Sequence, residues 1–224
     1  MKSKLFYTTA YQQIETNTIQ LLNNQQEILS SYSLSSPRAA GDAIQEIVAQ
    51  SFESILGPWS SIYSASFARR SMADLAFTDG EGCYYIVDVK THRLDTKFNM
   101  PNLTSVERLA RYYEDDANYF VLLLISYRVT GARLEFLNAH FVPIEFLDWS
   151  CLTIGALGWG QIQLANSNVV TINPQYSRRR WMIELCDIML AFYPREIQKI
   201  LQRTDYFEKL RTNWVAKPEE AETN

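Results

Sequence analysis

The sequence predicts an α/β (α+β) fold in which a central mixed β-sheet is flanked by helices. Three observations carry that expectation. Helical spacings of apolar residues occupy both ends of the chain. Between them, "SMADLAF" and "CYYIVDVK" read as two strands joined by the turn signal "TDGEG". Farther on, "YFVLLLISY" at 119 to 127 is a nearly unbroken apolar run, suited to a fully buried strand and too short to span a bilayer.

Taken in order, residues 9 to 30 are rich in Gln and Asn with recurring Ile and Leu, and predict an amphipathic helix. "SLSSPRAAGDAIQEIVAQSFESIL" predicts a second helix. Pro37 suits its first turn, Ala43, Ile44, Ile47, Val48 and Phe52 form a stripe, and Gly57-Pro58 ends it. The hairpin follows. Residues 91 to 102 read as a polar loop, and "LTSVERLARYYEDD" has helical spacing. A strand at 119 to 128, a Thr130-Gly131 turn and a strand from 132 to Pro143 come next. "IEFLDWSCL" is a short helix or loop. Residues 153 to 168 read as loop around Gly155, Gly158 and Gly160, although "GQIQLAN" can pair as a strand. "QYSRRRWMIELCDIMLAFY" predicts a helix with Ser177 as its cap. Pro194 kinks or restarts it, and helical character continues to Leu210. The expected organisation is one domain over 1 to 224. Residues 1 to 35 form a helical segment suited to dimerisation, 36 to 213 hold the core and C-terminal helices, and 214 to 224 form a flexible tail.

The 224 residues carry a net charge of -4, 47% apolar and 13% aromatic residues. That supports a substantial core and argues against disorder. It also argues against a uniformly basic surface, so any nucleic-acid contact depends on local clusters of cations. The three cysteines, Cys83, Cys151 and Cys186, are dispersed and form no CxxC pair. They predict core thiols in a reducing cytoplasm rather than a zinc site. The N-terminal segment lacks the apolar stretch and cleavage site of a secretory signal, and no membrane association is expected.

Chemistry concentrates in "YYIVDVKTH", residues 84 to 92. Alternation along a strand places Asp88 and Lys90 on one face. The preceding strand carries Asp74, which a hairpin brings across from Asp88. Two neighbouring carboxylates repel one another unless a cation lies between them. Hard oxygen ligands that leave room for water and a phosphate suit Mg²⁺. A nearby lysine can orient the attacking water and neutralise charge developing on the phosphate. This combination points to phosphodiester hydrolysis. An exposed hairpin face is the plain alternative.

"Ala73-Asp74-Leu75 … Val87-Asp88-Val89-Lys90-Thr91" resembles the PD-(D/E)xK nuclease signature, with alanine where the motif has proline. "DVKT", a polar loop, "PNL" before a helix and then an apolar strand resemble the type II restriction endonucleases of the EcoRV, HincII and SwaI kind. The resemblance covers residues 36 to 200, chiefly as order and spacing. It implies a restriction-endonuclease-like core that uses Mg²⁺ to cut duplex DNA. It further implies a homodimer, a short palindromic site and blunt ends. "AAGDAIQEIV" is similar to a helix that supplies an extra acidic residue in such enzymes. Glu46 is the candidate for that role, with Asp42 or Gln45 as alternatives in the matching turn.

Candidate DNA contacts follow from local basicity and side-chain amides. His92, Arg93, Lys97, Asn99 and Asn102 occupy the expected loop after Lys90, where Asn and Arg match adenine and guanine edges. Asn102 equally suits a helix cap. Arg178, Arg179 and Arg180 open the late helix, where three cations oppose the helix dipole and so favour an anionic partner. Arg69 and Arg70 precede the Asp74 strand. Gln161, Gln163, Asn166 and Asn168 lie in a segment suited to groove contact. Two further readings stay open: a repair or mobile-element nuclease of the same fold, and a DNA-binding module that does not cut.

Overall fold

The structure is a computed structural model that describes residues 2–25, 36–64, 73–96, 99–131 and 133–218. The chain divides into two compact units, Met1–Ser177 and Arg178–Asn224.

Helix α1 spans Ala10–Asn24. Its buried residues Tyr11, Ile14, Thr18 and Leu22 recur every three or four positions, the spacing of a single helix face. Helix α2 spans Pro37–Leu56, with Ser36 as N-cap accepting from the Ala39 N–H and Pro37 in the first turn. Ile44, Ile47, Val48 and Phe52 are buried as expected, while Ala43 is only half-buried. Gly57 ends the helix with φ 54, a conformation in which a Cβ is disfavoured.

Five strands build the main sheet: β1 Ile62–Ser64, β2 Leu75–Thr78, β3 Tyr84–Arg93, β5 Asn118–Thr130 and β6 Arg133–Pro143. Their spatial order is β1-β2-β3-β5-β6. Among the described residues β3 and β5 pair in parallel and the other neighbours antiparallel, so the sheet is mixed. The expected hairpin is β2 with β3. Its turn is tied by Asp79, whose Oδ1 accepts from the Glu81 and Cys83 N–H groups at 2.9 and 3.0 Å. Asp79 Oδ2 accepts from the Tyr85 hydroxyl at 2.7 Å, so this buried carboxylate is fully engaged. Tyr85 stacks on Phe77 at 4.4 Å and on Tyr119 at 5.3 Å, which locks β2, β3 and β5 together.

Three expectations change. Residues 91 to 93 are strand, not loop, because Thr91, His92 and Arg93 pair with Ile125, Ser126 and Tyr127 of the long β5. Asn102 is not a helix cap. It begins strand β4, Asn102–Ser105, and helix α3 is confined to Val106–Tyr112. A second, antiparallel sheet exists, ordered β4-β8-β7, with β7 at Leu152–Gly155 and β8 at Gln161–Leu164. "GQIQLAN" is therefore strand over most of its length. It finds two partners that local sequence cannot reveal.

Among its described residues the second unit contains one helix, α4, over Arg178–Val215. Pro194 lies inside it and does not end it. Proline removes one N–H and crowds the preceding turn. There the Arg195 Nε donates to the Ala191 carbonyl at 3.1 Å, supplying a side-chain donor beside the gap. Among the described residues, no helix is long and apolar enough to cross a membrane.

Candidate functional site

Strand β2 faces β3 with Leu75 opposite Val87, and the Asp74 N–H donates to the Val87 carbonyl at 2.9 Å. Continuing that register sets Asp74 directly opposite Asp88. Asp74 Oδ2 accepts from the Val89 N–H at 2.8 Å, which fixes the first carboxylate against the backbone beside the second. Lys90 Nζ donates to Asp88 Oδ1 at 2.8 Å, so Asp88 and Lys90 share a face as alternation requires.

Asp88 is 6% exposed, and its Oδ2 is buried without a hydrogen-bond partner. Burial pushes its carboxyl up to about 7; Lys90 opposes the shift and Asp74 adds to it. A buried oxygen with no donor is costly to an isolated protein. Its chemistry, with that of Asp74 opposite, is the donor type a hard cation takes, because both donors are carboxylate oxygens. The residues thus fit Mg²⁺ as a two-carboxylate centre. Among the described residues, no group of three or more His, Cys, Asp or Glu side chains could hold a metal ion together.

Glu46 stands apart from this pair. An ideal Cβ on Gly41 of α2 would lie 3.0 Å from Thr91 Oγ1, so α2 packs on the sheet face that Thr91 occupies. Alternation puts Asp88 and Lys90 on the other face. Glu46 is exposed and accepts from Gln50 Nε2 at 3.3 Å. It lies roughly 140° around the helix from Gly41, whereas the half-buried Gln45 lies roughly 40° away. The sheet-facing turn therefore holds an amide rather than the expected acid.

No protein-family model matches this chain, and no curated protein matches its sequence.

The expected DNA contacts divide into several groups. Arg69, Arg70 and Lys97 lie outside the described residues. Arg93 is engaged by Asp95 through two contacts of 2.5 Å. His92 Nε2 meets Asn168 Oδ1 at 2.7 Å, linking β3 to the segment after β8. Asn102 Oδ1 accepts from Gln163 Nε2 at 2.5 Å, and Gln163 also packs over Gly155. These two candidate readers thus hold one another across the second sheet. Gln161 is half-exposed on β8, and Asn166 Oδ1 accepts from the Asn168 N–H at 3.0 Å. Arg178, Arg179 and Arg180 open α4, where Arg180 pairs with Glu184 at 3.0 Å.

A cavity of about 190 Å³ begins at Lys90 and includes His92, Asn99, Asn168 and three residues that sequence reasoning left aside: Ser126, Asn138 and His140. Register explains their convergence. Lys90 pairs with Leu124, which pairs with His140; His92 pairs with Ser126, which pairs with Asn138. Two adjacent rows across three strands thus carry polar groups on the face of Asp88. Burial holds the His140 imidazole below its ordinary value, favouring the neutral ring. Ser167 Oγ, also at the cavity, is buried without a partner. The only sequence signal was polar residues alternating with apolar ones along β6, which does not by itself reveal what they face.

Proposed function

We propose that this chain is a Mg²⁺-dependent endonuclease of the type II restriction kind, built on a restriction-endonuclease-like core. It would cut duplex DNA at a short palindromic site, leave blunt ends, and act as a homodimer in the reducing cytoplasm. The observation that carries this reading is the buried, unpartnered Asp88 Oδ2 opposite Asp74, with Lys90 on the same face.

On this reading Asp74 and Asp88 hold the cation. Mg²⁺, when bound, supplies charge to stabilise the phosphate as it accumulates negative charge. Lys90, whose ammonium donates to Asp88 at 2.8 Å, would orient the attacking water and neutralise charge on the phosphate. The backbone bond from Val89 to Asp74 keeps the first carboxylate from rotating away. The cavity beside Lys90 receives the part of the nucleotide next to the cut bond, with Asn99, Asn138 and Ser167 as hydrogen-bonding groups. Glu46 has no part in this centre.

The test is incubation with a mixed-sequence plasmid and Mg²⁺, alongside Asp88→Ala. Discrete bands absent from the variant support site-specific cutting, and sequencing the ends yields site and stagger together. A smear identifies a nonspecific nuclease of the same fold. Retention of DNA without cutting identifies a binding module, and no interaction removes every DNA reading.

A further inference from the structure

Helix α4 runs for 38 residues, about 57 Å at 1.5 Å per residue. Along it, Leu190, Tyr193, Ile197, Ile200, Thr204, Phe207, Arg211 and Trp214 fall at alternating intervals of three and four. That is the a/d seam of a heptad repeat sustained for more than three heptads, with six of the eight positions apolar. A seam of this kind ordinarily lies inside a coiled coil. Here Leu190, Ile197, Ile200, Phe207 and Trp214 are between 55% and 72% exposed.

A shallow, open depression on α4 is lined by Ile200, Arg203, Thr204, Phe207, Glu208 and Arg211. In heptad terms these are d, g, a, d, e and a, the positions that form the holes for a partner's knobs. Charge selects the occupant. Arg203 at g and Glu208 at e are five residues apart, the offset at which g of one helix meets e of a parallel partner. Neither has an ion-pair partner among the described residues. Two copies side by side and in register form this pair twice. Leu201 and Val215, both exposed at e, widen the apolar strip.

We propose that α4 is a dimerisation helix, joining two copies of this chain through a parallel two-stranded coiled coil along Leu190 to Trp214. The nuclease reading already expects a homodimer; what is new is the interface, which lies on α4 rather than in residues 1 to 35, and it does not depend on that reading because nothing in the seam involves Asp74, Asp88 or Lys90.

Sedimentation of the full chain tests it without DNA. The expected mass is twice the 25.9 kDa of the chain, falling to one chain mass in Ile197→Glu/Ile200→Glu. Arg203→Glu should weaken the dimer about tenfold, and adding Glu208→Arg should restore it. That rescue distinguishes a specific seam from a folding defect. Cys186, expected in the core but exposed, lies four residues before Leu190, occupies a d position and meets its copy only in a parallel pair. Copper-phenanthroline oxidation should therefore give a covalent dimer that Cys186→Ser abolishes. A monomeric wild-type chain, a dimer indifferent to the Ile197/Ile200 change, a charge swap without rescue, or a dimer that fails to cross-link through Cys186 would each overturn the proposal.

Discussion

Asp74 and Asp88 face one another across β2 and β3, yet their environments differ. Asp74 is bonded to the Val89 backbone, while Asp88 keeps one buried oxygen with no partner. Burying that oxygen ionised costs stability; protonation relieves the cost at low pH, and on the nuclease reading a bound cation would relieve it as well.

Asp88→Asn should therefore separate function from stability. Ionising Asp88 is opposed by burial, and its carboxyl titrates at about 7 against an ordinary 3.8. Whatever stability the protonated group allows is present at low pH and lost as pH rises through 7. At pH 8 in EDTA the variant should melt at a higher temperature than the wild type. Its Mg²⁺ binding by calorimetry should fall at least about tenfold, and DNA cleavage at least about a thousandfold. A lower melting temperature with intact cleavage would refute this account of Asp88.

Lys90→Gln should leave Mg²⁺ binding close to wild type while slowing cleavage on the order of 10² to 10⁴-fold, the range for a positioned proton-transfer group. Single-turnover rates measured at saturating Mg²⁺ check this. Equal losses in binding and rate would make Lys90 only a partner that neutralises Asp88.

Gly41 and Thr91 report the packing of α2 on the sheet. Alanine is preferred over glycine within a helix by about 1 kcal/mol, but its Cβ here meets Thr91 Oγ1 at 3.0 Å. Gly41→Ala should stabilise the protein by about 1 kcal/mol more in a Thr91→Ala background than in the wild type. Urea unfolding of the four proteins measures that coupling, and strict additivity would disprove the contact.

Glu15 on α1 accepts from the Phe141 N–H at 2.8 Å, and burial raises its carboxyl to about 7. A raised acid pKa means the folded state holds its proton more tightly. The associated stability is complete below 4.5 and is lost as pH rises through about 7. Glu15→Gln keeps an acceptor for Phe141 and removes the titration. Allowing for its partial contact with water, it should be on the order of 1 kcal/mol more stable than wild type at pH 8 and equal to it at pH 4. Unfolding curves at the two pH values decide.

By itself the sequence determined the local elements and the chemistry in one hairpin. Turn residues at Asp79-Gly80 and alternation along β3 were enough to bring Asp74, Asp88 and Lys90 together, because a tight hairpin fixes register over a few residues. The helical stripes of α1 and α2 were legible for the same reason: both periods are properties of neighbouring residues. Tertiary structure decided the rest. Extending β3 through Arg93 required β5 as a parallel partner. Joining Asn102 to Gln163 required the second sheet. Assembling Ser126, Asn138 and His140 beside Lys90 required the register of three strands at once. Glu46 marks the limit of the helical reading: spacing says which residues share a face, but not which face of the sheet that helix covers. Contacts between distant segments depend on how whole surfaces pack, and that information is spread over the chain rather than written at the residues that meet.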